Sequence, residues 1–439
     1  MRPIYLLIEE VNREMLSRLR IGRAVVALGH PVLTGQQWWF TANFEALPPG
    51  VVLFKGNNRI QTQFMGQAHK AGHLTASIDE EAFVSSSATE INAQYHALAE
   101  TYCDLFLVQG TFQHRVLLDR FPAARERVVM TGNPRADLLK DTRFRPRDPM
   151  VDQYLADHGP YTLINTNFTT INPKLGDTFS YYQTCLRVGV LDDPETPPYR
   201  RFMTWCQWER ENLRAMTALI HRLAARQHAR LHDRRIVVRP HPSENAEIWI
   251  DQMAGLPGVD VQVEGDHLAW IDRADILVHS GCSTGLEAHL LGRPAISLTP
   301  GDKVWKTPAL SNIVNPVAST VDEAEVLLRD PPPETERSEA LGDYLLDSPG
   351  SAADRIAGQL AALAERARDR PTPDISVDTP TPASRRMIEK AFLDLGEVRR
   401  RLSLVEAAMD VEEPATVREI GPAVFQLGDG PSLHPGLAP

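Results

Sequence analysis

The chain has 439 residues, with 46 basic and 57 acidic side chains and a formal charge of −11. At roughly 150 residues per domain this length predicts two or three domains, and a hydrophobic content of 43% excludes a chain that is disordered throughout. The negative balance also argues against a protein that coats nucleic acid, because such proteins need a basic face to neutralise phosphates.

The N-terminus is the place where a targeting signal would be expected. Its only apolar run before Glu9 is the five residues 4–8, which is too short for a signal-peptide core. No segment approaches the roughly 20 apolar residues of a membrane span. The four cysteines form no C-x-x-C pair and are interpreted as reduced thiols. We therefore expect a cytoplasmic protein, with contact at the inner face of the membrane as an open alternative.

Short apolar runs alternate with helical stretches up to about residue 325, which is typical of an α/β fold with buried parallel strands. The strand-like runs are residues 4–8, 25–28, 51–54, 105–108, 161–165, 236–238 and 276–278. Helical patterns lie between several of them, at residues 88–101 and 209–230.

A charged, proline-bearing stretch at residues 141–157 separates two such series. We therefore predict an α/β protein with two doubly wound Rossmann-like domains, residues 1–145 and 155–325, that face each other across a cleft. Ligands of open parallel sheets bind at the carboxyl ends of the strands. The candidate residues for chemistry should accordingly follow these runs directly.

Residues 326–439 are predicted to form a C-terminal helical appendage with proline-rich linkers and a disordered tail. Helical patterns occur at residues 351–368 and 385–409, and the second combines an apolar stripe with a basic bias. We expect this second helix to dock onto its own domain or onto a second copy of the chain. A helix that lies on a membrane surface is the alternative.

The segment VVRPHPSE at residues 237–244 is a buried strand that two prolines stop. Pro240 and Pro242 fix the backbone, so Arg239 and His241 project from the carboxyl end of the strand. A guanidinium and an imidazole can bind a phosphate there, and the imidazole can also protonate a departing one. A turn in which His241 only satisfies a backbone carbonyl is the alternative.

The segment ILVHSGCSTGLEA at residues 276–288 places small residues between a strand and a helix. Backbone N–H groups, hydroxyls and the positive end of the helix dipole together make a phosphate cradle. The residues assigned to it are Ser280, Gly281, Ser283, Thr284 and Gly285. Glu287, in the first turns of the helix, can reach a ribose hydroxyl. The spacings of the mononucleotide P-loop and of the Rossmann fingerprint do not occur here, and a plain strand-to-helix turn is the alternative.

Three consecutive carboxylates, Asp79, Glu80 and Glu81, follow a short extended segment in the first predicted domain. One of them can deprotonate an acceptor hydroxyl, because crowding three anions raises the pKa of at least one. A solvated helix start is the alternative interpretation. His69 and His73 are four residues apart, but no acidic motif follows them, so no metal site is predicted.

Five segments, taken in their order and spacing, resemble the bacterial surface carbohydrate biosynthesis proteins. This GT-B-like group is related to capsule Kdo transferases and bacterial sialyltransferases. The resemblance covers about residues 1–325. The segments are SIDEEAFV at 77–84, TGNPRADLL at 131–139, LINTNF at 163–168, VVRPHPSE at 237–244 and ILVHSGCSTGLEA at 276–288.

The resemblance implies residue roles. In the related CMP-sugar transferases an HP motif and a serine-rich turn hold the phosphate of the cytidine nucleotide. Those roles fall on His241, Pro242, Ser280, Ser283 and Thr284. The same enzymes take their catalytic carboxylate from two acidic residues followed by glycine, whereas this chain has Glu80-Glu81-Ala82. The alanine leaves the base open among Asp79, Glu80 and Glu81 and points to an altered acceptor or a weak activity.

The resemblance and the two phosphate-holding segments together predict a metal-independent glycosyltransferase of surface polysaccharide biosynthesis, acting in capsule or lipopolysaccharide formation. The expected donor is a nucleotide sugar, a CMP-linked ulosonic acid such as Kdo or a sialic-like sugar, and the acceptor is a glycan or a lipid-linked glycan. A CMP-sugar leaves with a single phosphate, and the sequence has no D-x-D signature to hold a metal. We therefore expect no cofactor.

Two alternatives stay open. One is a phosphotransferase of the CDP-glycerol type, which forms a phosphodiester where the first hypothesis forms a glycosidic bond. The other is a non-catalytic subunit that recognises a nucleotide sugar or a glycan within a surface-polymer assembly complex.

Overall fold

The structure is a computed structural model. It describes residues 1–79, 85–188, 191, 195–229, 234–300, 309–330, 339–348, 350–366 and 393–428. The chain divides into two compact units. The first consists of Met1–Ala82, Gln94–Phe144 and Asp343–Pro439, and the second of Phe83–Ala93 and Arg145–Gly342.

The strands of the described residues are numbered in chain order. They are β1 (Ile4–Ile8), β2 (Val32–Gln36), β3 (Val51–Phe54), β4 (Leu74–Ile78), β5 (Leu105–Val108), β6 (Val128–Met130), β7 (Tyr161–Asn165), β8 (Arg235–Arg239), β9 (Val259–Val261), β10 (Ile276–His279), β11 (Ala295–Leu298), β12 (Val317–Ala318), β13 (Val417–Gly421) and β14 (Val424–Leu427).

The α-helices of the described residues are numbered in the same way. They are α1 (Val11–Ala27), α2 (Gln37–Asn43), α3 (Arg59–Lys70), α4 (Ala88–Gln94), α5 (Ala99–Tyr102), α6 (Thr111–Arg120), α7 (Pro134–Lys140), α8 (Pro149–His158), α9 (Thr178–Val188), α10 (Pro198–His228), α11 (Ala246–Met253), α12 (His267–Arg273), α13 (Ser283–Leu290), α14 (Leu310–Val314), α15 (Val321–Arg329), α16 (Ala352–Glu365) and α17 (Leu395–Ala408). Short 3₁₀ helices lie at Pro122–Arg127, Thr142–Phe144 and Glu339–Leu341.

The sheet of the first unit has the order β13-β14-β2-β1-β3-β4-β5-β6 over its described strands. The six strands from β2 to β6 are parallel, so their carboxyl ends meet at one edge. β14 runs antiparallel to β2, and β13 pairs with β14. Gly35 permits this closure, because it has φ of +150° and a Cβ there would lie 2.2 Å from the carbonyl oxygen of Ala423.

Helices from the two ends of the chain cover the first sheet together. Ile356 and Leu360 of α16 and Val398 and Leu402 of α17 lie in the same buried cluster as Leu19 of α1. An ion pair at 2.8 Å joins Arg20 to Asp354, and another at 3.0 Å joins Arg23 to Glu406. From Asp343 onward, the described part of the predicted C-terminal appendage therefore belongs to the first unit, and α16 and α17 contribute to its core, whereas the described residues 326–330 and 339–342 belong to the second unit.

The second unit contains a parallel sheet in the order β12-β11-β10-β7-β8-β9 over its described strands. The chain crosses over between successive strands, and the crossover helices α10, α11 and α15 pack on one face. The three helices contribute to one buried cluster through Met216, Trp249 and Leu328, and the strands contribute residues such as Ile164 and Val278. The two parallel sheets with flanking helices confirm the predicted α/β class and the two Rossmann-like units.

Several predicted elements differ from the structure. Residues 25–28 were predicted as a strand, but Val25 belongs to the buried face of α1, which ends before Gly29 at φ of +86°. The strand of this region is β2, which begins at Val32, seven residues after the predicted start. An apolar run of four residues fits either period, so its length could not decide between helix and strand.

Two predicted helices also have other limits. The predicted helix at 88–101 is two helices, α4 and α5, and the one predicted from residue 209 begins at Pro198, a favourable first helical residue. Of the predicted helix at 385–409, the structure describes α17, while residues 385–392 lie outside the described residues. The tail predicted to be disordered is residues 428–439, and of these the structure describes only Gly428. Among the described helices, none combines the length and the apolar character that crossing a membrane requires.

Candidate functional site

His241 lies in an exposed turn directly after β8. The backbone N–H of Ser243 donates to His241 Nδ1 at 3.1 Å. In the neutral imidazole the proton is therefore on Nε2. Pro242 is exposed beside it, so the turn presents the imidazole outward with its Nε2–H as a donor.

Glu244 holds this turn in place from below. Its carboxylate is 2% exposed and accepts from Thr166 Oγ1 at 2.7 Å, from the backbone N–H of His241 at 3.2 Å and from Trp249 Nε1 at 2.9 Å. These donors come from the segment after β7, from the turn itself and from α11. Because one buried carboxylate accepts from all three donors, Glu244 fixes the position of the His241 turn.

Arg239 is engaged elsewhere in the second unit. Its guanidinium donates to the backbone carbonyls of Glu264 and Gly265 and lies 5.4 Å from the centroid of the Trp270 ring. Burial lowers the pKa of Arg239 to about 10. These contacts fix the loop after β9, and the predicted contact of Arg239 with a phosphate stays a prediction.

The serine-glycine turn follows β10 and leads into α13. Gly281 has φ of +71°, and the N-cap residue Cys282 makes no side-chain capping hydrogen bond to a backbone N–H of α13. The hydroxyl of Ser280 is buried and has no hydrogen-bond partner in the described structure. An unpaired buried hydroxyl before an uncapped helix N-terminus is a suitable place for an anion with acceptor oxygens.

His279 supports this turn from inside the sheet. Its Nδ1 accepts from the backbone N–H of Gly281 at 3.1 Å, and complete burial lowers its pKa to about 3, so the imidazole is neutral. A Cβ on Gly285 would lie 2.1 Å from His279 Nε2. The glycine therefore lets the first turn of α13 close over the buried ring.

The two turns lie at the same edge of the second sheet, with β7 between β8 and β10. At a strand spacing of about 4.8 Å, the ends of β8 and β10 are about 10 Å apart. Asn165, the last residue of β7, pairs with Arg239 of β8, is 6% exposed and has an Oδ1 without a partner in the described structure. A ligand that reaches from His241 to Ser280 would pass this amide.

Glu287 is not at the surface of the cradle. It is 1% exposed within α13, and its Oε2 lies 3.4 Å from His267 Nε2 of α12. The predicted contact with a ribose hydroxyl stays a prediction. Ser283 and Thr284 form the first turn of α13, and Thr284 Oγ1 lies 2.7 Å from Cys282 Sγ.

Asp79 follows β4 at the carboxyl edge of the first sheet and is 6% exposed. Its carboxylate accepts a hydrogen bond from the hydroxyl of Tyr95. Glu80, Glu81 and Ala82 lie outside the described residues. Within the first unit, the structure therefore locates one of the three candidate carboxylates.

A small cavity of about 10 Å³ borders Asp79, and its lining includes Lys55, Asn57 and Tyr95. This volume is close to the ~10–15 Å³ that one ordered water requires. The Lys55 ammonium lies 2.8 Å from a carboxylate oxygen of Glu9. Asp79 is thus next to space for a single oxygen atom and to a paired cation.

His69 and His73 have structural contacts in the first unit. His69 Nε2 lies 3.5 Å from a carboxylate oxygen of Asp104, and His73 bridges the N–H of Gly50 and the carbonyl of Phe44. Over the described residues, no group of three or more His, Cys, Asp or Glu side chains is arranged to hold a metal ion.

Sequence reasoning missed the supporting residues Glu244, His279 and Tyr95. A signal was present for Glu244, since a carboxylate three residues after His241 can accept the histidine's backbone N–H. His279 offered a weaker signal, as the last residue of an apolar strand before a glycine. Tyr95 had none, because its contacts join segments that are distant in sequence.

Comparisons with protein-family models and with curated proteins gave no match. Solved structures did match. A Listeria monocytogenes protein described as a candidate UDP-N-acetylglucosamine 2-epimerase is 13% identical with a TM-score of 0.53, over 85% of this chain and 99% of that chain. The UDP-GlcNAc 2-epimerase of Methanocaldococcus jannaschii, in complex with UDP-GlcNAc and UDP, is 13% identical with a TM-score of 0.52, over 82% of this chain and 100% of that chain.

A third structure, of S. aureus MnaA with UDP, is 12% identical with a TM-score of 0.50, over 83% of this chain and 97% of that chain. The chain has a GT-B-like fold. The likeness extends over both units, since each comparison covers more than four fifths of the chain. At this identity it establishes architecture, and the chemistry depends on the residues of this chain.

Proposed function

We propose that this chain is a glycosyltransferase that takes a sugar from a nucleotide-sugar donor in the synthesis of a bacterial surface polysaccharide. The observation that carries the proposal is the carboxyl edge of the second sheet. There the buried hydroxyl of Ser280 lacks a partner in the described structure, directly before the uncapped start of α13. Such an edge is where open parallel sheets bind nucleotides.

The hydrogen-bond donors at this edge suit an anion. His279 is neutral, and the nearby carboxylate of Glu244 already accepts three hydrogen bonds. A phosphate placed at Ser280 would accept hydrogen bonds from the backbone N–H groups at the start of α13 and from the Ser280 hydroxyl. The Nε2–H of His241 would donate to the same anion as the sugar bond breaks and charge develops on the leaving phosphate.

The nucleotide is proposed to be CMP, carrying a ulosonic acid such as Kdo or a sialic-like sugar. The support is the resemblance of the HP motif and of the serine-rich turn to those of CMP-sugar transferases. Two of the structurally similar proteins are described with bound UDP, so UDP is the competing nucleotide. In this proposal, the residues at the edge of the second sheet select between the two nucleotides.

The acceptor hydroxyl is proposed to be activated by a carboxylate of residues 79–81 in the first unit. Asp79 is held by Tyr95 and borders space for one oxygen atom. A carboxylate in that setting can take a proton from a hydroxyl as the hydroxyl attacks the sugar. No metal ion or other cofactor takes part in this proposal.

The test is a calorimetric titration of the full chain with CMP, CDP and UDP, followed by product analysis with the sugar form of the nucleotide that binds. We expect CMP to bind, Ser280→Ala to weaken it and the product to contain a glycosidic bond. If UDP or CDP binds and CMP does not, the proposal that the donor is a CMP-linked sugar is wrong. A phosphodiester product, or conversion of UDP-GlcNAc into its 2-epimer without transfer, would overturn the reaction.

A further inference from the structure

Asp79 is the end of a hydrogen-bond chain with a fixed direction. Three buried residues of the first unit form it: Asp79 after β4, Tyr95 between α4 and α5, and Gln113 in α6. Tyr95 and Gln113 are each 2% exposed. Their polar groups are therefore shielded from bulk water, and the protein itself sets which atom donates to which.

The direction follows from Gln113. Its Oε1 accepts from the backbone N–H of Gln109 at 2.8 Å, so its Nε2 is the end that faces the Tyr95 hydroxyl at 3.3 Å. Nε2 can only donate, so the hydroxyl oxygen accepts there and its own proton is free to donate to Asp79. The chain therefore runs from Gln109 through Gln113 and Tyr95 to the carboxylate.

The energetics of Tyr95 agree with this direction. Burial raises the pKa of Tyr95 well above its ordinary value, and the negative charge of Asp79 raises it further. The neutral phenol carries the proton that it donates to Asp79. A hydrogen bond from a neutral donor stabilises the ionised form of a carboxylate and fixes its orientation.

We propose that Tyr95 is a positioning residue for Asp79, holding its carboxylate ionised and turned so that the other oxygen faces the one-oxygen cavity beside Lys55. This inference rests on the proposed function, in which Asp79 is one of three candidates for the base. It adds a specific device. Among the described charged groups, the Lys55 ammonium lines the same cavity as Asp79 and is paired with Glu9 and Glu14. The Arg120 guanidinium donates to the backbone carbonyl of Tyr95 at 3.3 Å, and Glu80 and Glu81 follow Asp79 in the sequence.

The experiment measures the titration midpoint of the Asp79 carboxyl group by ¹³C NMR in the full chain, with the resonance identified by its loss in Asp79→Asn. Tyr95→Phe removes only the hydroxyl and keeps the ring, which stacks on Phe121 at 5.8 Å between centroids. We expect the midpoint to rise by about one pH unit or more, because a hydrogen bond to a charged group is lost. Gln113→Leu should shift it less, in the same direction.

The matched control is Tyr102→Phe. Tyr102 is also buried in the first unit, but its hydroxyl has no hydrogen-bond partner in the described structure, so we expect no shift. An unchanged midpoint in Tyr95→Phe overturns the proposal. If Tyr95→Phe does not fold, Gln113→Leu decides alone, and an unchanged midpoint there overturns it too.

The NMR titration requires no substrate, so it separates this inference from the proposed function. Where turnover is measurable, Tyr95→Phe should lower kcat with little change in KM and move the acid limb of the pH profile to higher pH. A midpoint that shifts in a protein without transferase activity would keep the hydrogen-bond chain and refute the function. An unchanged midpoint in an active transferase would refute the hydrogen-bond chain and keep the proposed function.

Discussion

The two parallel sheets present different chemistry at their carboxyl edges. The edge of the first unit carries charged groups that have partners: Asp79 receives the Tyr95 hydroxyl, and Lys55 is paired with Glu9. The edge of the second unit also carries charged groups that have partners, Arg239 and Glu244. Beside them lie two neutral atoms without a partner in the described structure, the buried Ser280 hydroxyl, which can donate, and the buried Asn165 Oδ1, which can only accept.

This difference shows how one architecture can serve two tasks. A group that must accept a proton needs a fixed charge and a fixed orientation, which a saturated hydrogen-bond network supplies. A site that must admit an anionic ligand needs donors that are not already engaged, and a nearby carboxylate such as Glu244 must have donors of its own. The strand-end position is shared, and the state of the polar groups assigns the task.

The largest expected effect is a loss of turnover on substitution of Asp79, which tests the role proposed for the edge of the first sheet. Asp79→Asn keeps the shape but removes the proton acceptor, so turnover should fall by about 100-fold or more, while nucleotide affinity stays unchanged. The measurement is steady-state transfer together with calorimetry. Asp119→Asn, at an exposed position of α6, is the control. Full turnover in Asp79→Asn would move the base to Glu80 or Glu81.

Glu244→Ala tests whether the His241 turn depends on its buried carboxylate. Three donors, among them the buried Trp249 Nε1, lose their acceptor, so the second unit should lose about 2–4 kcal/mol of unfolding free energy. Nucleotide affinity should fall as well. Urea denaturation measures the first effect. Glu247→Ala, exposed in the same helix, should match wild type, and a wild-type midpoint for Glu244→Ala would show that the turn holds without it.

Acid should destabilise the second unit through His279. Its pKa of about 3 in the folded state lies below the ~6.5 of an unfolded histidine, so the unfolded chain binds a proton that the folded chain does not. The contribution is fully present above about pH 6.5 and is lost as the pH falls toward 3, by about 2 kcal/mol at pH 5. Denaturation curves of wild type and His279→Gln at pH 7 and 5 measure it.

The control for the acid effect is His221→Gln, at an exposed position of α10. It should keep the wild-type dependence of stability on pH, whereas His279→Gln should lose the part that one buried histidine contributes. Equal slopes in wild type and His279→Gln would contradict a neutral buried imidazole.

The smallest expected effect is that of Ser280→Ala, and it tests the difference between the two sheet edges most directly. Ser280→Ala should weaken nucleotide binding by about tenfold through loss of one hydrogen bond to an anion. The free energy of unfolding should stay equal or rise slightly, because the deleted hydroxyl is buried without a partner. Calorimetry and urea denaturation give the two values. Ser297→Ala, also buried and unpartnered but inside β11, should leave affinity unchanged, and equal affinity in Ser280→Ala would remove Ser280 from the site.

The sequence alone allowed prediction of the strands that are short, apolar and followed by turn residues, including β1, β3, β7 and β10. It also indicated both strand-end turns, because prolines around His241 and glycines around Ser280 fix local backbone geometry. The engagement of Arg239 with the carbonyls of Glu264 and Gly265 could not be predicted, since it depends on where the loop after β9 runs.

The role of the C-terminal segment was also beyond sequence reasoning. The apolar stripe of α17 was visible, and docking onto its own unit was one expected outcome. The partner could not be identified, because the contacts join distant parts of the chain: Arg20 pairs with Asp354, 334 residues away. Strands β13 and β14 were not predicted. β13 has no apolar run, and the short run of β14 lies in the segment that was interpreted as linkers and a disordered tail.

The pairing of β14 with β2 has a consequence for biosynthesis. Residues of the second unit leave the ribosome before α16, α17 and the closing hairpin exist, so the second unit can fold while the first still lacks three of its parts. During this interval β2 is an open sheet edge and the apolar side of α1 is uncovered, both of which favour association with other chains. While residues 37–424 are being synthesised, a chaperone would therefore protect the exposed edge of β2 and the apolar side of α1.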